Sequence, residues 1–533
     1  MLLPSVSSDL SRRLPASLAA CSTAILAVLG CTATSELSTA ASSTARSRPN
    51  VVVVFDDQLR ADVCGVYGGQ NITTPNIDRL AEQGITFNNA FSTCPLCTPF
   101  RGMLQTGRYP THSGVVLNWI EVNPNQRCIA HVFRDAGYET GFIGKWHLAA
   151  GARKKTVKHV MTPKQQKRNS EMMQAYARVN PETEYVPPGP QRLGYNHWQA
   201  FNFHCAFNDY YYYEDTPERL MKPGYETDIQ VDQAMAFMRQ QQASGKPFFL
   251  MVAPHPPHPP FSPEDCPPGY LDRIPEDLIW APNVPEDHRL RRDPLAIRCY
   301  YAMAKNFDDN LGRLMDFLDR SGLAENTIMV LTSDHGDMLG SHGRRNKMVP
   351  YREAVHIPCI VRWPGHISAG SRVDVLHTPM DHFPTLCSLA GLQAPDTCDG
   401  LDLSGVLLGT KGVDRDAVLM MNYVSHWDYF DTGTNWPEWR AVRTQRYTYV
   451  KWLNGKEELY DNVDDPYQMR NLVESPKGRP ALEKLRARLA ELLADAHDEF
   501  MSGTAYADWC DDERNLVRTA LGPVAMSRTD GTP

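Results

Sequence analysis

Val51-Val52-Val53-Val54-Phe55-Asp56-Asp57 is an unbroken apolar run closed by two acids. A continuous run, as opposed to an alternating one, predicts a strand buried on both faces, as in a mainly parallel sheet covered by helices. Acids at the carboxyl end of such a strand fall in the crevice where open α/β sheets bind ligands. The pattern returns at Ile328-Met329-Val330-Leu331-Thr332, followed by Ser333-Asp334-His335-Gly336-Asp337. Further strands are expected at 248–253 and 357–362, with helices at 300–318 and 383–390. Another helix is expected at 74–84, with Thr74 as N-cap, Pro75 at the first position and Gly84 at the end. This alternation argues for a covered, mainly parallel sheet.

Outside that core the chain changes character twice. Residues 1–47 read as a signal peptide and linker: Arg12 and Arg13 precede an apolar run at 18–29, too short for a bilayer but suited to a signal-peptide core. Export to the periplasm, cell surface or medium is therefore expected. Ser11-Arg12-Arg13 is similar to a twin-arginine signal, and Val28-Leu29-Gly30-Cys31 to a lipoprotein box that would anchor lipid at Cys31; simple cleavage within 32–46 is the alternative. No later run reaches the ~18 apolar residues of a membrane span. A catalytic domain is expected over 48–412 and a smaller α+β subdomain over 413–533. The latter shows short strand-like runs at 440–444 and 447–452. A helix at 481–499 carries Leu482, Leu485, Leu489, Leu492 and Leu493 at helical spacing. That stripe is too short for a zipper and reads as a packing face.

Composition excludes two classes. With 54 Lys plus Arg against 62 Asp plus Glu and a formal net charge of −8, wholesale capture of nucleic acid is not expected. With 42% hydrophobic and 22% charged residues, overall disorder is excluded. Of 13 cysteines, Cys21 and Cys31 fall in the leader, leaving an odd number and hence one thiol with another fate. Cys94-Pro95-Leu96-Cys97 is a lone Cys-x-x-Cys; without a second pair it argues against structural zinc and leaves a redox pair open.

The most informative stretch is Cys97-Thr98-Pro99-Phe100-Arg101-Gly102-Met103-Leu104-Gln105-Thr106-Gly107. Pro99 suits a first helical turn, and Cys97 and Arg101 share one face. An anion docked there would meet free N–H groups, a favourable dipole and a forked cation. Spacing alone leaves a buried cysteine beside a surface arginine equally open.

Cys97-Thr98-Pro99-x-Arg101, with Leu104 and Thr106-Gly107, resembles the signature of the type I sulfatases of the alkaline-phosphatase superfamily. In that family a formylglycine-generating enzyme converts the cysteine to formylglycine (3-oxoalanine). The resemblance continues through Asn50 to Asp57, Thr74 to Ala81, Gly144-Lys145-Trp146-His147, Pro257-His258-Pro259-Pro260-Phe261, Ser333 to Asp337, Asp381-His382-Phe383-Pro384-Thr385-Leu386 and Leu459-Tyr460-Asp461. Phe100 departs from the small residue usual at its place, which bears on the efficiency of maturation.

The resemblance implies an α/β fold, an alkaline-phosphatase-like α/β/α sandwich with a smaller C-terminal α+β subdomain, and hydrolysis of sulfate esters. It implies one divalent cation, calcium with manganese or magnesium as alternatives, held by Asp56, Asp57, Asp334, His335 and modified Cys97. Oxygen donors on two strand ends suit calcium or magnesium, while the His335 imidazole admits manganese. By the same resemblance Arg101 holds the hydrated aldehyde, Lys145 binds sulfate and His147 accepts a proton. His258 and Lys347 contact sulfate and the leaving oxygen, one of them supplying its proton. His258 is preferred to His255 for its Pro-His-x-Pro-Phe context.

The expected substrate is a sulfated carbohydrate, with a small sulfate ester as the alternative. Aromatic clusters at Tyr195, His197, Trp198, Phe201, Phe203, Phe207 and 210–213, and at His426, Trp427, Tyr429, Trp436 and Trp439, are candidates for a sugar-stacking rim, most of the first being expected to pack beneath a loop. The basic stretch from Arg153 to Arg168 reads as a solvated segment or a polyanion contact. Two other readings stay open. One is a phosphonate monoester or phosphodiester hydrolase with the same site, suggested by Met338-Leu339-Gly340-x-His342-Gly343. The other is an inactive sulfated-glycan-binding protein whose Cys97 remains a thiol or pairs with Cys94.

Overall fold

The structure is a computed structural model, and it describes residues 48–149, 184–291, 294–423, 438–501, 503–511 and 515–524. The strands of its main sheet are β1 (Asn50–Asp56), β2 (Ile85–Ala90), β3 (Glu139–Lys145) and β4 (His197–Phe201). After a two-stranded ribbon, β5 (Tyr211–Tyr212) and β6 (Leu220–Met221), come β7 (Phe248–Ala253), β8 (Thr327–Ser333), β9 (Cys359–Arg362) and β10 (Ser371–His377). The order is β10-β2-β9-β8-β1-β7-β3-β4, and every pairing is parallel except those of β9 with β2 and β8.

The apolar run at 51–55 is the central strand. Val51, Val53 and Phe55 enter one core with Phe100, Leu104 and Phe383, while Val52 and Val54 enter the opposite core with Leu80, Phe237 and Leu311. Burial on both faces is what an unbroken hydrophobic run encodes, and it makes the molecule an α/β sandwich. β1 and β8 run in parallel register, Asp56 opposite Ser333, so the acids after each strand emerge side by side.

Helix α1 (Pro75–Glu82) forms where expected but is not capped as expected. The Thr74 hydroxyl accepts the Gly65 N–H at 2.7 Å, and the Asp308 carboxylate accepts the N–H groups of Asn76 and Ile77 at 3.0 and 2.8 Å. A tertiary carboxylate has replaced the local cap. The helix ends before Gly84, where a Cβ would lie 2.4 Å from the Val361 carbonyl oxygen, so that glycine serves close approach to β9. The helix expected at 300–318 is longer, Pro294–Ser321, and that expected at 481–499 closes earlier, Arg479–Asp495.

The late region forms an antiparallel sheet, β11 (Val418–Asn422), β12 (Trp439–Arg443), β13 (Tyr447–Trp452) and β14 (Glu457–Asp461). Leu482, Leu485, Leu489 and Leu492 pack into one cluster with Leu419, Met421 and Val442 of this sheet and with Cys94 and Met103 beside the Cys97 helix. The leucine stripe is thus a packing face. Among the described residues no helix is long and apolar enough to cross a membrane.

Candidate active site

Helix α2 (Cys97–Thr106) starts from extended Leu96, and all ten of its residues are buried. The choice left open by spacing is thereby resolved: Arg101, 1% exposed, is no surface cation. One of its terminal nitrogens lies 3.0 Å from Asp57 Oδ2 and 3.4 Å from Asp334 Oδ2, and the other donates to the Lys145 carbonyl. Lys145, at the end of β3, sends Nζ to within 2.5 Å of Asp57 Oδ2. The Thr98 hydroxyl donates to the His147 carbonyl at 2.9 Å, tying the helix start to the loop after β3, and the Thr98 N–H donates to Asn118 Oδ1 at 3.0 Å, tying it to the segment that follows the short helix Pro110–Ser113.

The donor atoms of Asp57, Cys97, Asp334 and His335 lie within 4.8 Å of one another, all buried, with Cys97 Sγ 3.2 Å from His335 Nε2. Asp56 stands outside that four-atom group; one of its oxygens accepts the Asp57 N–H at 3.2 Å, and the other, Oδ2, is buried with no hydrogen-bond partner among the described residues. Burial alone would raise the pKa of Asp57, but Lys145, His258 and Arg101 hold it well below the usual carboxylate range. Burial and then the Asp57 charge push Asp56 well above that range and Asp334 up to about 7. Arg101, Lys145 and Lys347 therefore leave Asp56 and Asp334 with raised pKa values, and an orphaned oxygen remains. That imbalance fits a divalent cation on oxygen donors. His335, which burial and then Lys347 keep neutral, fits as a nitrogen ligand.

The remaining candidates gather around this group. Lys347 Nζ donates to Gln58 Oε1, and its pKa is raised because Cys97, Asp57 and Asp334 outweigh the opposing effect of burial. His258 Nδ1 lies 2.7 Å from the Pro259 carbonyl, which makes Nδ1 the protonated nitrogen of the neutral ring. Burial and then Lys347 hold its pKa well below the usual imidazole range. His147 is likewise kept neutral, by burial and then by Lys145 and Arg101, and neither of its ring nitrogens has a partner among the described residues. Burial and the Asp57 charge push the Cys97 thiol up to about 11.

Several residues here escaped the sequence reading. Gln58, directly after the acids, has φ 74°, and its N–H donates to Asp334 Oδ1 at 3.0 Å. Positive φ at non-glycine residues recurs at Trp119, His147, Leu339, His342, Asn346 and Met348, backbone strain of the kind that concentrates at functional sites. Phe203 lies 4.7 Å below Lys145 Nζ and also meets the rings of His147, His255 and His258. Glu226, pushed by burial to about 8, accepts the His255 N–H at 3.1 Å. Of these, Phe203 did not escape, since it stands among the aromatic stacking candidates; Gln58 and Glu226 carried no signal.

The first aromatic cluster is otherwise core: Tyr195, Trp198, Phe201, Phe207 and 210–213 are all buried. Trp439, expected at the rim, is fully buried and donates Nε1–H to the Met348 carbonyl at 3.0 Å, because it begins a strand whose face packs inward. His426, Trp427, Tyr429, Trp436 and the basic stretch from Arg153 to Arg168 lie outside the described residues. Cys94 and Cys97 are both free thiols in this structure, and Cys94 belongs to an apolar cluster.

A family model described as Sulfatase matches residues 49–392, and one described as N-sulphoglucosamine sulphohydrolase, C-terminal, matches residues 340–495. The chain is 34% identical over 469 residues to an ulvan-active sulfatase of Formosa agariphila, covering 86% of this chain and 84% of that protein. It is 28% identical over 523 residues to an endo-4-O-sulfatase of Bacteroides thetaiotaomicron, covering 91% and 98%. A solved structure from B. thetaiotaomicron, described under metabolism of multiple glycosaminoglycans, matches with a TM-score of 0.74 at 27% identity, over 85% of this chain and 97% of that one.

Proposed function

The chain belongs to the sulfatase family and is a sulfuric ester hydrolase; from that premise we propose that it removes sulfate from a sulfated carbohydrate at the Cys97 site. The observation that carries the site assignment is the buried convergence of Cys97, Asp57, Asp334 and His335 with Arg101 and Lys145. The relatives named for ulvan and for endo-4-O-sulfate support a polymeric substrate. The leader-like residues 1–47 support action outside the cytoplasm.

Matured to 3-oxoalanine by a formylglycine-generating enzyme, residue 97 supplies in hydrated form an oxygen nucleophile for sulfur and a second hydroxyl whose deprotonation expels sulfate. A divalent cation, calcium or else manganese or magnesium, on Asp56, Asp57, Asp334 and His335 supplies charge neutralisation at the sulfate oxygens. Arg101 and Lys145, both bound to Asp57, fix the position of residue 97 and of the incoming anion. His147, neutral and with both ring nitrogens unpartnered, is the base for the second hydroxyl. Lys347 neutralises sulfate. The charge of a bound sulfate ester raises the affinity of the free His258 Nε2 for a proton, which this nitrogen then gives to the leaving oxygen.

Assay of desulfation on ulvan, on glycosaminoglycans and on an aryl sulfate tests this reading. Release of sulfate from a polysaccharide, lost in Cys97→Ala protein that keeps its melting temperature, is expected. Equal release by that variant contradicts it.

A further inference from the structure

Away from the Cys97 group, a second knot of buried donors lies where three elements meet. Cys359 opens β9, His377 closes β10, and His382 opens the helix His382–Leu389. Their donor atoms lie within 4.8 Å of one another, and each residue is at most 3% exposed. The two imidazoles meet edge to face with centroids 4.4 Å apart. His377 Nδ1 and His382 Nε2 have no hydrogen-bond partner among the described residues, and Cys359 is a free thiol. Buried polar nitrogens without partners are rare and costly, so this arrangement calls for a cause.

The neighbouring carboxylate does not relieve it. The neighbouring Asp381 has both oxygens committed to Arg415, at 2.5 and 2.8 Å, and to the N–H groups of Thr378 and Leu401, each at 2.7 Å. Two imidazoles and one thiol therefore face one another without a carboxylate, a set that disfavours calcium and magnesium and suits zinc or copper.

We propose that Cys359, His377 and His382 form a second metal site, taking a zinc-class transition-metal ion on one thiolate and two neutral imidazoles. Tetrahedral zinc with S at ~2.3 Å and N at ~2.0 Å holds its ligand atoms roughly 3.5 Å apart, so closure from the present spacing asks for a side-chain shift of about an ångström. A cavity of about 10 Å³, the lower limit for one water, adjoins the two imidazoles and is lined by them with Phe87, Val330, Thr385 and Leu403. Binding releases the Cys359 proton to solvent. The histidines need release none, because burial already holds His377 down at about 4 and His382 well below its usual range. The site shares no residue with the Cys97 group.

The test uses the full chain carrying Cys97→Ala, which removes the thiol of the first group, stripped of metal and titrated with cobalt(II); Cys205, whose thiol lies close to His255 and His258, serves as the control. A thiolate-to-cobalt charge-transfer band is expected, lost on adding Cys359→Ala, retained on adding Cys205→Ala, and bleached by zinc. No such band, or a band that survives Cys359→Ala, overturns the proposal. Should Cys359→Ala fail to fold, zinc-edge anomalous diffraction from the unsubstituted protein decides. A peak between Cys359, His377 and His382 supports the site, and zinc found only elsewhere overturns it.

Discussion

Two buried clusters at the same sheet contain a cysteine and histidine, yet their surroundings set opposite chemistry. Around Cys97 stand Asp57 and Asp334 with Arg101 and Lys145; around Cys359 the nearby carboxylate is committed to an arginine. The first is a highly charged pocket suited to a hard cation and an anionic ester, the second an uncharged nitrogen and sulfur set suited to a softer ion. Similar ligand types thus mean different things according to which charges the fold places beside them.

Breaking the Cys97 cluster should give the largest effect. Cys97→Ala is expected to lower kcat on the order of 10⁴-fold or more, as loss of a nucleophile does, whereas Cys359→Ala should leave kcat near the parent value; steady-state kinetics on one sulfated substrate compares them. Next, His147→Ala is expected to lower kcat by about 10²- to 10⁴-fold, the usual worth of a general base, with KM falling alongside it because only breakdown of the sulfated enzyme is slowed. Because burial holds His147 below the ordinary imidazole pKa, it stays deprotonated as pH falls through that range. In the substrate-free protein the His147 ring should accordingly titrate on the acid side of pH 6.5, the approximate pKa of free histidine, as followed by NMR of its ring protons, and titration at or above that value would contradict its neutral state in the site. The smallest effect belongs to the second cluster. Zinc at 100 times its Kd should stabilise the Cys97→Ala protein by about 2.7 kcal/mol, seen as a rise in Tm that is absent when His377→Gln and His382→Gln are added.

The two clusters also differ in how much of them could be read from sequence. Val51 to Asp57 and Ile328 to Asp337 announce themselves because strand and acids are contiguous, and parallel pairing then brings Asp57 and Asp334 together. Helical spacing put Cys97 and Arg101 on one face, and only the burial of Arg101 against Asp57 and Asp334 decided between a site and a surface cation. Gln58 was not legible, since its role depends on a left-handed backbone that no side-chain pattern encodes. Nor was the cap of α1, supplied by Asp308 from a distant helix. Cys359, His377 and His382 come from two strands and a helix at spacings that match no metal motif, so only the sheet order, with β2 between β9 and β10, and the helix that follows β10 bring them together. Trp439 misled because an aromatic cluster looks the same whether it lines a rim or a core.

The central claim is that residue 97 acts as a matured aldehyde in the charged cluster. It is tested most directly by mass spectrometry of the tryptic peptide 80–101, reduced and alkylated, from protein made in its native producer. The account predicts an aldehyde at 97 with Cys94 alkylated. Two alkylated cysteines throughout fully active protein would contradict it.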